Sequence, residues 1–198
     1  MLYETLRKYD IVLGSGSPRR KYLLEEMGLS FRVMVNSSLE ETWPEELSRE
    51  GIPVYLAELK AEHLMEKVPE NTLLITADTI VWLGGEVINK PAGREEALKM
   101  LRQLSGNMHE VLTGVCLRTS SGKHSFYASS LVWFTGLSDE EITYYVDHYE
   151  PFDKAGAYGI QDWIGYIGVE KIEGSYFNVM GLPLQRMYHE LKSFLGDE

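Results

Sequence analysis

Cysteine is nearly absent from this 198-residue chain: Cys116 stands alone, so no intrachain disulfide can hold the fold. It lies in the apolar run Val111 to Leu117, where a buried strand thiol is expected. No stretch approaches the roughly 18 consecutive apolar residues of a membrane helix, and the start, Met1 to Asp10, is charged rather than shaped like a signal peptide. A cytoplasmic protein with no membrane partner is expected. Basic tracts are missing as well. Nineteen Lys and Arg stand against thirty Asp and Glu, a net charge of −11 that repels nucleic acid. A small polyanion can still bind where a few cations converge, so the positions of those cations carry the information.

Several catalytic signatures are also lacking. The histidines at 63, 109, 124, 148 and 189 show no paired ligand spacing, and there is no C-x-x-C, which disfavours a zinc site. No G-x-S-x-G elbow occurs, and no cysteine has a matched histidine, so covalent hydrolase chemistry has no support. What remains is cations plus carboxylates, the equipment for positioning a Mg²⁺-phosphate and an attacking water.

What is present describes an ordinary globular protein, 44% hydrophobic and 25% charged, with 18 Gly and 7 Pro. Its length suits one domain over residues 1–198, or two lobes around a cleft. Ile11 to Leu13 reads as a buried strand ending in Gly14-Ser15-Gly16, with Ser17 as N-cap and Pro18 as the first residue of a helix that stops at Gly28. A strand is expected over Phe31 to Val35, a loop from Asn36 to Ile52, and a helix from Pro53 to Glu66. Leu73 to Ala77 reads as a buried strand running into Asp78-Thr79 and on through Leu83, with a hairpin at Gly84-Gly85 into Glu86 to Asn89. An amphipathic helix follows over Arg94 to Leu104, then two strands, Glu110 to Arg118 and Ser125 to Phe134, joined by the turn Thr119 to Gly122. Ser138 and Glu141 form a capping box, and Pro151 to Gln161 reads as irregular. A strand pair around Gly165 to Ile172 and Tyr176 to Val179 and a helix over Leu184 to Leu195 complete the chain. Strands that both follow one another and alternate with helices indicate an α/β fold with a mixed sheet.

Ser15-Gly16-Ser17-Pro18-Arg19-Arg20 places two hydroxyls, two guanidinium groups and a helix N-terminus after one strand. That is either an anion cradle or a strand-to-helix turn with surface arginines. It is neither a P-loop nor a dinucleotide fingerprint, because the lysine and the glycine spacing are wrong. Asp78 follows a buried strand and is expected at its end or on a face toward a cleft, as metal ligand or general base; the alternative is a turn aspartate. Glu40 and Glu41 offer further carboxylates in a loop. Lys60 lies in an apolar and acidic helix, Lys90 is fixed in direction by Pro91, and Lys154 lies in Asp153-Lys154-Ala155-Gly156; each alone fits a surface charge.

Taken together, Ser15 to Arg20, Ala77-Asp78-Thr79, Asn89-Lys90-Pro91, Leu104-Ser105-Gly106, Asp153 to Gln161, Gly174-Ser175-Tyr176 and Gly181-Leu182-Pro183 resemble the Maf family over nearly the whole chain. The resemblance implies a nucleoside triphosphate pyrophosphatase. It also implies an elongated mixed-sheet α/β fold similar to inosine-triphosphate pyrophosphatases, two lobes around a central cleft, and a homodimer. Asp78 would be the catalytic acceptor, Arg20, Lys60 and Lys90 would face phosphate, and Glu41 would help hold a divalent metal, Mg²⁺, Mn²⁺ or Co²⁺. Glu40 is the alternative carboxylate, because Leu39-Glu40-Glu41 replaces the commoner Val-Asp-Glu.

The dTTP- and UTP-hydrolysing branch carries Arg, Thr and Gln where this chain has Arg19, Thr79 and Gln161. A neutral pyrimidine edge, with donor and acceptor side by side, suits an amide, whereas a cationic methylated guanine favours a carboxylate. Asp162-Trp163 follows Gln161 where a glycine is frequent. Water would attack the α-phosphorus, with Asp78 orienting or deprotonating it and Ser15, Arg19, Arg20, Lys60, Lys90 and Lys154 engaging the nucleotide. The family is further associated with nucleotide-pool sanitation and cell-division arrest, so the alternative is a nucleotide-binding regulator of septum formation with little catalysis.

Overall fold

The computed structural model describes residues 2–36 and 39–196. Along them run α1 (Leu2–Leu6), β1 (Asp10–Leu13), α2 (Pro18–Glu26), β2 (Arg32–Val33), α3 (Gly51–Met65), β3 (Thr72–Leu83) and β4 (Glu86–Ile88). Then come α4 (Arg94–Leu104), β5 (Met108–Thr119), β6 (Gly122–Phe134), α5 (Asp139–Tyr149), α6 (Trp163–Gly168), β7 (Val169–Glu173), α7 (Tyr176–Met180) and α8 (Leu184–Phe194). The seven strands form one sheet in the order β2-β1-β3-β5-β6-β7, with β4 beside β3. It is mixed: β1 is parallel to β2 and β3, whereas β3–β4 and β6–β7 are antiparallel.

Two compact units share the chain. The first comprises Met1–Asp78, Thr113–Ala128 and Gly181–Glu198, and the second Thr79–Leu112 and Ser129–Met180. In the first, Val12 and Leu74 from the parallel strands meet Ala57, Ala61 and Leu64 of α3 and the free thiol of Cys116. Burial pushes that thiol's pKa up, as expected of an inert core cysteine. In the second, α4 lies against α5, and the ion pairs Arg94–Asp147 and Arg102–Asp139, each 2.6 Å, join their exposed sides.

Helix starts and stops follow local chemistry. Ser17 caps α2 by accepting from the Arg20 N–H, Pro18 takes the first position, and the chain leaves through Gly28 at φ +78°. The capping box of Ser138 and Glu141 is formed at the start of α5. α3 begins two residues earlier than the Pro53 start, because Ser48 receives the Gly51 N–H at its hydroxyl and the Ile52 N–H at its carbonyl, and a proline fits the first turn. The expected loop before it includes Ser37 and Ser38, which lie outside the described residues, as does Met1.

The run expected from Leu73 through Asp78 to Leu83 is borne out as one uninterrupted strand, Thr72–Leu83, which places Asp78 within it; no glycine or proline breaks the run, and Thr79, Ile80 and Val81 favour the extended chain. Three expected strands need correction. The strand expected over Phe31 to Val35 is only Arg32–Val33, since its partner β1 ends at Leu13. Gly165 to Gly168 is helical, where the Gly165 N–H bonds to the Asp162 carbonyl and a Cβ at Gly165 would lie 1.8 Å from the Ile160 oxygen. Tyr176 to Met180 is helical too: Gly174, at φ +117°, breaks the extended chain, and the Ser175 hydroxyl accepts from the Asn178 N–H. The short helix α1, with Leu2 and Leu6 buried, had no counterpart in the sequence reading.

Helix α3 lies close against the sheet at Gly114. A Cβ there would lie 2.2 Å from the Pro53 carbonyl carbon and 2.3 Å from the Val54 nitrogen, both backbone atoms of α3. Gly114→Ala must therefore displace α3 from the sheet, at a cost on the order of 3 kcal/mol. A thermal melt should show Tm falling by about 6 to 12 °C; an unchanged Tm would mean that α3 does not press on this strand.

A second consequence concerns pH. His109 is buried in the second unit, edge-on to Phe134 and Tyr158, with Nε2 2.7 Å from the Tyr158 hydroxyl. Desolvation lowers its pKa to about 4. The unfolded chain, with a histidine pKa of about 6.5, takes up this proton before the folded one does, so stability is complete above pH 6.5 and falls as pH drops towards 4. The loss amounts to about 3 kcal/mol. His109→Gln should remove that share of the acid sensitivity in denaturant titrations at pH 7 and pH 4.

Candidate functional site

Lys60 occupies an inward position of α3, with Leu56 and Leu64 one turn away on either side and both buried. Its side chain is 14% exposed, and its ammonium reaches Asp78 Oδ1 at 2.5 Å and Glu41 Oε2 at 3.1 Å. The Asp78 side chain, 11% exposed, is delivered by β3, while Glu41 comes from the preceding loop and is largely exposed. A second contact ties the same helix and strand, since the Thr76 hydroxyl donates to the Ala57 carbonyl at 2.6 Å. The ammonium thus joins two carboxylates from separate parts of the chain.

Arg20, the third residue of α2, is the other inward cation, 8% exposed. Its Nε donates to the Gly181 carbonyl at 2.8 Å and its Nη1 to the Ser15 hydroxyl at 3.1 Å. The Ser15 hydroxyl also accepts from the Ser17 N–H at 3.3 Å, which folds the loop back on itself. Burial lowers the Arg20 pKa, the negative charge of Asp78 opposes that fall, neighbouring Arg19 adds to it, and Glu41 opposes it again. Arg19, Arg20 and Lys60 therefore share one electrostatic neighbourhood with Asp78 and Glu41.

Among the described residues, no group of three or more His, Cys, Asp or Glu is placed to hold a metal. The donor set fits a different mode. A Mg²⁺-like ion takes one or two carboxylates and fills its remaining positions with substrate phosphate oxygens and water. Glu41 and Asp78, both in contact with one ammonium, supply that number; Glu40, the neighbour of Glu41 in sequence, is exposed. They suit an ion that arrives with a triphosphate rather than an all-protein cage.

The remaining expected residues lie in the second unit. Asp78 ends its segment of the first unit and Thr79, half-buried on β3, opens the second. Lys90 is exposed after β4, and the carbonyl of the adjacent Asn89 accepts from the Gly156 N–H at 3.1 Å, which joins the Lys90 segment to the loop of Lys154. The Lys154 ammonium pairs with Asp153 at 2.7 Å and stands 3.9 Å from Asp162. Gln161 Nε2 donates to Asp162 Oδ1 at 2.9 Å, and Tyr145 donates to Asp162 Oδ2 at 2.8 Å.

The model of the family described as Maf-like protein matches residues 10–194. The chain belongs to the Maf family. A dTTP/UTP pyrophosphatase of Parabacteroides distasonis is 52% identical to this Maf chain over 193 residues, covering 98% of it and 100% of the relative. One of Bacteroides thetaiotaomicron is 54% identical over 187 residues, covering 94% and 97%. Among solved structures, a HAM1 protein from Coxiella burnetii is 14% identical with a TM-score of 0.46, covering 95% and 97%, a likeness too slight to carry weight.

Sequence reasoning missed three participants. The Gly181 carbonyl holds Arg20, and its signal was the motif Gly181-Leu182-Pro183, with the glycine at φ +114°. Tyr145 and Asp162 brace Gln161, and only the departure at Asp162 hinted at them. Because both Nε and Nη1 of Arg20 are engaged, a lysine cannot replace it. Arg20→Lys should cost about 1 to 3 kcal/mol of stability in denaturant titration and weaken pyrophosphate binding in calorimetry. Unchanged values would show that the guanidinium fork is dispensable.

Proposed function

We propose that this Maf-family chain hydrolyses dTTP and UTP to the nucleoside monophosphate and pyrophosphate. The observation that carries the proposal is the grouping of Asp78, Lys60 and buried Arg20 in one neighbourhood, a carboxylate among cations suited to a phosphate chain. Relatives more than 50% identical over 97–100% of their own lengths are dTTP/UTP pyrophosphatases, which supports the same substrates here.

In this mechanism Asp78 accepts a hydrogen bond from the attacking water and takes its proton as the α-phosphorus is attacked. A carboxylate has about four lone-pair sites and Lys60 takes one, which leaves capacity for the water. Arg19, Arg20 and the Ser15 hydroxyl bind phosphate oxygens, and Arg20 is preorganised by Gly181 before substrate arrives. Lys60 neutralises charge near the reacting phosphorus, and Lys90 and Lys154 take further phosphate oxygens. Thr79 and Gln161 face the nucleotide, with Gln161 reading the pyrimidine. A divalent cation held by Glu41 and Asp78 would supply Lewis-acid stabilisation of phosphate charge. The enzyme is taken to act on the cytoplasmic nucleotide pool as a homodimer.

Asp78→Asn keeps the volume and removes the base, so kcat should fall by about 10²- to 10⁴-fold while calorimetric nucleotide affinity persists. Near-normal turnover would sink the role of Asp78. Product analysis is the broader test. UTP incubated with Mg²⁺, Mn²⁺ or Co²⁺ should give UMP plus pyrophosphate, and the activity should vanish in EDTA and return with the ion. Binding without turnover would favour a regulator instead.

A further inference from the structure

We propose that Asp162 is a positioning residue: it locks the Gln161 amide with Oε1 as the acceptor offered to the base, so that the site takes pyrimidines bearing an N3–H and rejects cytosine. This rests on the assignment of Gln161 to the base.

A carboxylate accepts hydrogen bonds and donates none, so the amide edge that faces Asp162 Oδ1 at 2.9 Å must be the NH₂. Gln161 Oε1 is thereby turned to the other side. It is buried and meets no donor among the described residues, a costly condition for an acceptor unless a ligand supplies the hydrogen. Asp162 is itself held. The Tyr145 hydroxyl donates to its Oδ2 at 2.8 Å and is fixed in turn by accepting from the Gly159 N–H at 3.0 Å. Tyr145 is fully buried, so the brace has a rigid base.

A more ordinary role for Asp162 is to cap α6, since it holds the N-cap position. Its side chain makes no capping bond there, and its oxygens go to Gln161 and Tyr145 instead. Lys154, at 3.9 Å, is not its main partner, because that ammonium pairs with Asp153 at 2.7 Å. Gly159 adds a steric reason. A Cβ there would lie 2.4 Å from Asp162 Oδ2 and 2.6 Å from Gln161 Nε2, so the braced pair requires glycine beneath it.

The direction of the amide decides which base is accepted. Uracil and thymine carry a hydrogen on N3 that Oε1 can accept, whereas cytosine presents a bare N3 lone pair against it. A reversed amide would donate to cytosine N3 and invert the preference. A buried polar group left facing the wrong partner discriminates more strongly than a shape difference of one methyl group.

The test is kcat/KM for UTP and CTP in the wild type, Asp162→Ala, Asp162→Asn, Gln161→Ala and the Asp162→Ala/Gln161→Ala double variant, with melting curves to confirm folding. In Asp162→Ala the UTP:CTP ratio should fall by about tenfold or more, chiefly through a higher KM for UTP. Asp162→Asn preserves volume but can either accept from or donate to the amide, so its ratio should also fall. In the Gln161→Ala background, loss of Asp162 should leave the ratio unmoved, as coupling through one amide demands. Equal losses on UTP and CTP, or an unchanged ratio in either folded Asp162 variant while Gln161→Ala collapses it, overturns the role of Asp162 alone. A ratio that survives Gln161→Ala overturns base reading by Gln161, and this proposal with it.

Discussion

The contact between Lys60 and Asp78, 2.5 Å long, sets a condition that the surrounding structure has to meet. Neither group is well solvated, and taking such a pair out of water costs several kcal/mol per ion unless each finds a partner in good geometry. Each therefore depends on the other element being in place: α3 must present Lys60 inward, and β3 must carry a carboxylate in the middle of a buried strand. Thr76 and Ala57 make a second tie between the same helix and strand, and Gly114 lets α3 come within reach of the sheet. Packing and electrostatics here are one constraint. A change that lifts α3 also unpairs a charge.

The same economy governs Arg20. A buried guanidinium is tolerable only when its donors are engaged, and the Gly181 carbonyl and the Ser15 hydroxyl do this from opposite ends of the chain. Arg20 also feels the opposite charges of Asp78 and Glu41, alongside the repulsion of Arg19. Its guanidinium is thus oriented before any anion arrives, which is how binding energy can be directed to phosphate.

Buried polar groups in the second unit are arranged differently. There, hydrogen bonds are passed along short chains: Gly159 to Tyr145 to the Asp162 carboxylate, met by Gln161, and Asn178 to the Val111 carbonyl and the Ser130 hydroxyl. His109 remains neutral because its surroundings are aromatic and no carboxylate offsets its desolvation. Orientation rather than net charge is what such networks specify.

Local chemistry was readable from the residues wherever it depended on neighbours along the chain. Ser17-Pro18, Ser138 with Glu141, Gly84-Gly85 and the amphipathic run Arg94 to Leu104 all took the expected forms, since caps, turns and helical faces are decided within a few residues. The α/β class and the family motifs were legible for the same reason. The expected strand pair failed at Tyr176 to Val179, where Gly174 and a Ser175 cap start a helix, and at Gly165 to Gly168, where the Gly165 N–H turns back to the Asp162 carbonyl. What only the tertiary structure could decide was partnership: that Lys60 meets both Asp78 and Glu41, that Gly181 holds Arg20 from 161 residues away, and that Asp162 turns the Gln161 amide. Motifs name residue types, but a hydrogen bond or ion pair needs distance and direction, and for groups so far apart in sequence these exist only once the sheet and its helices have formed.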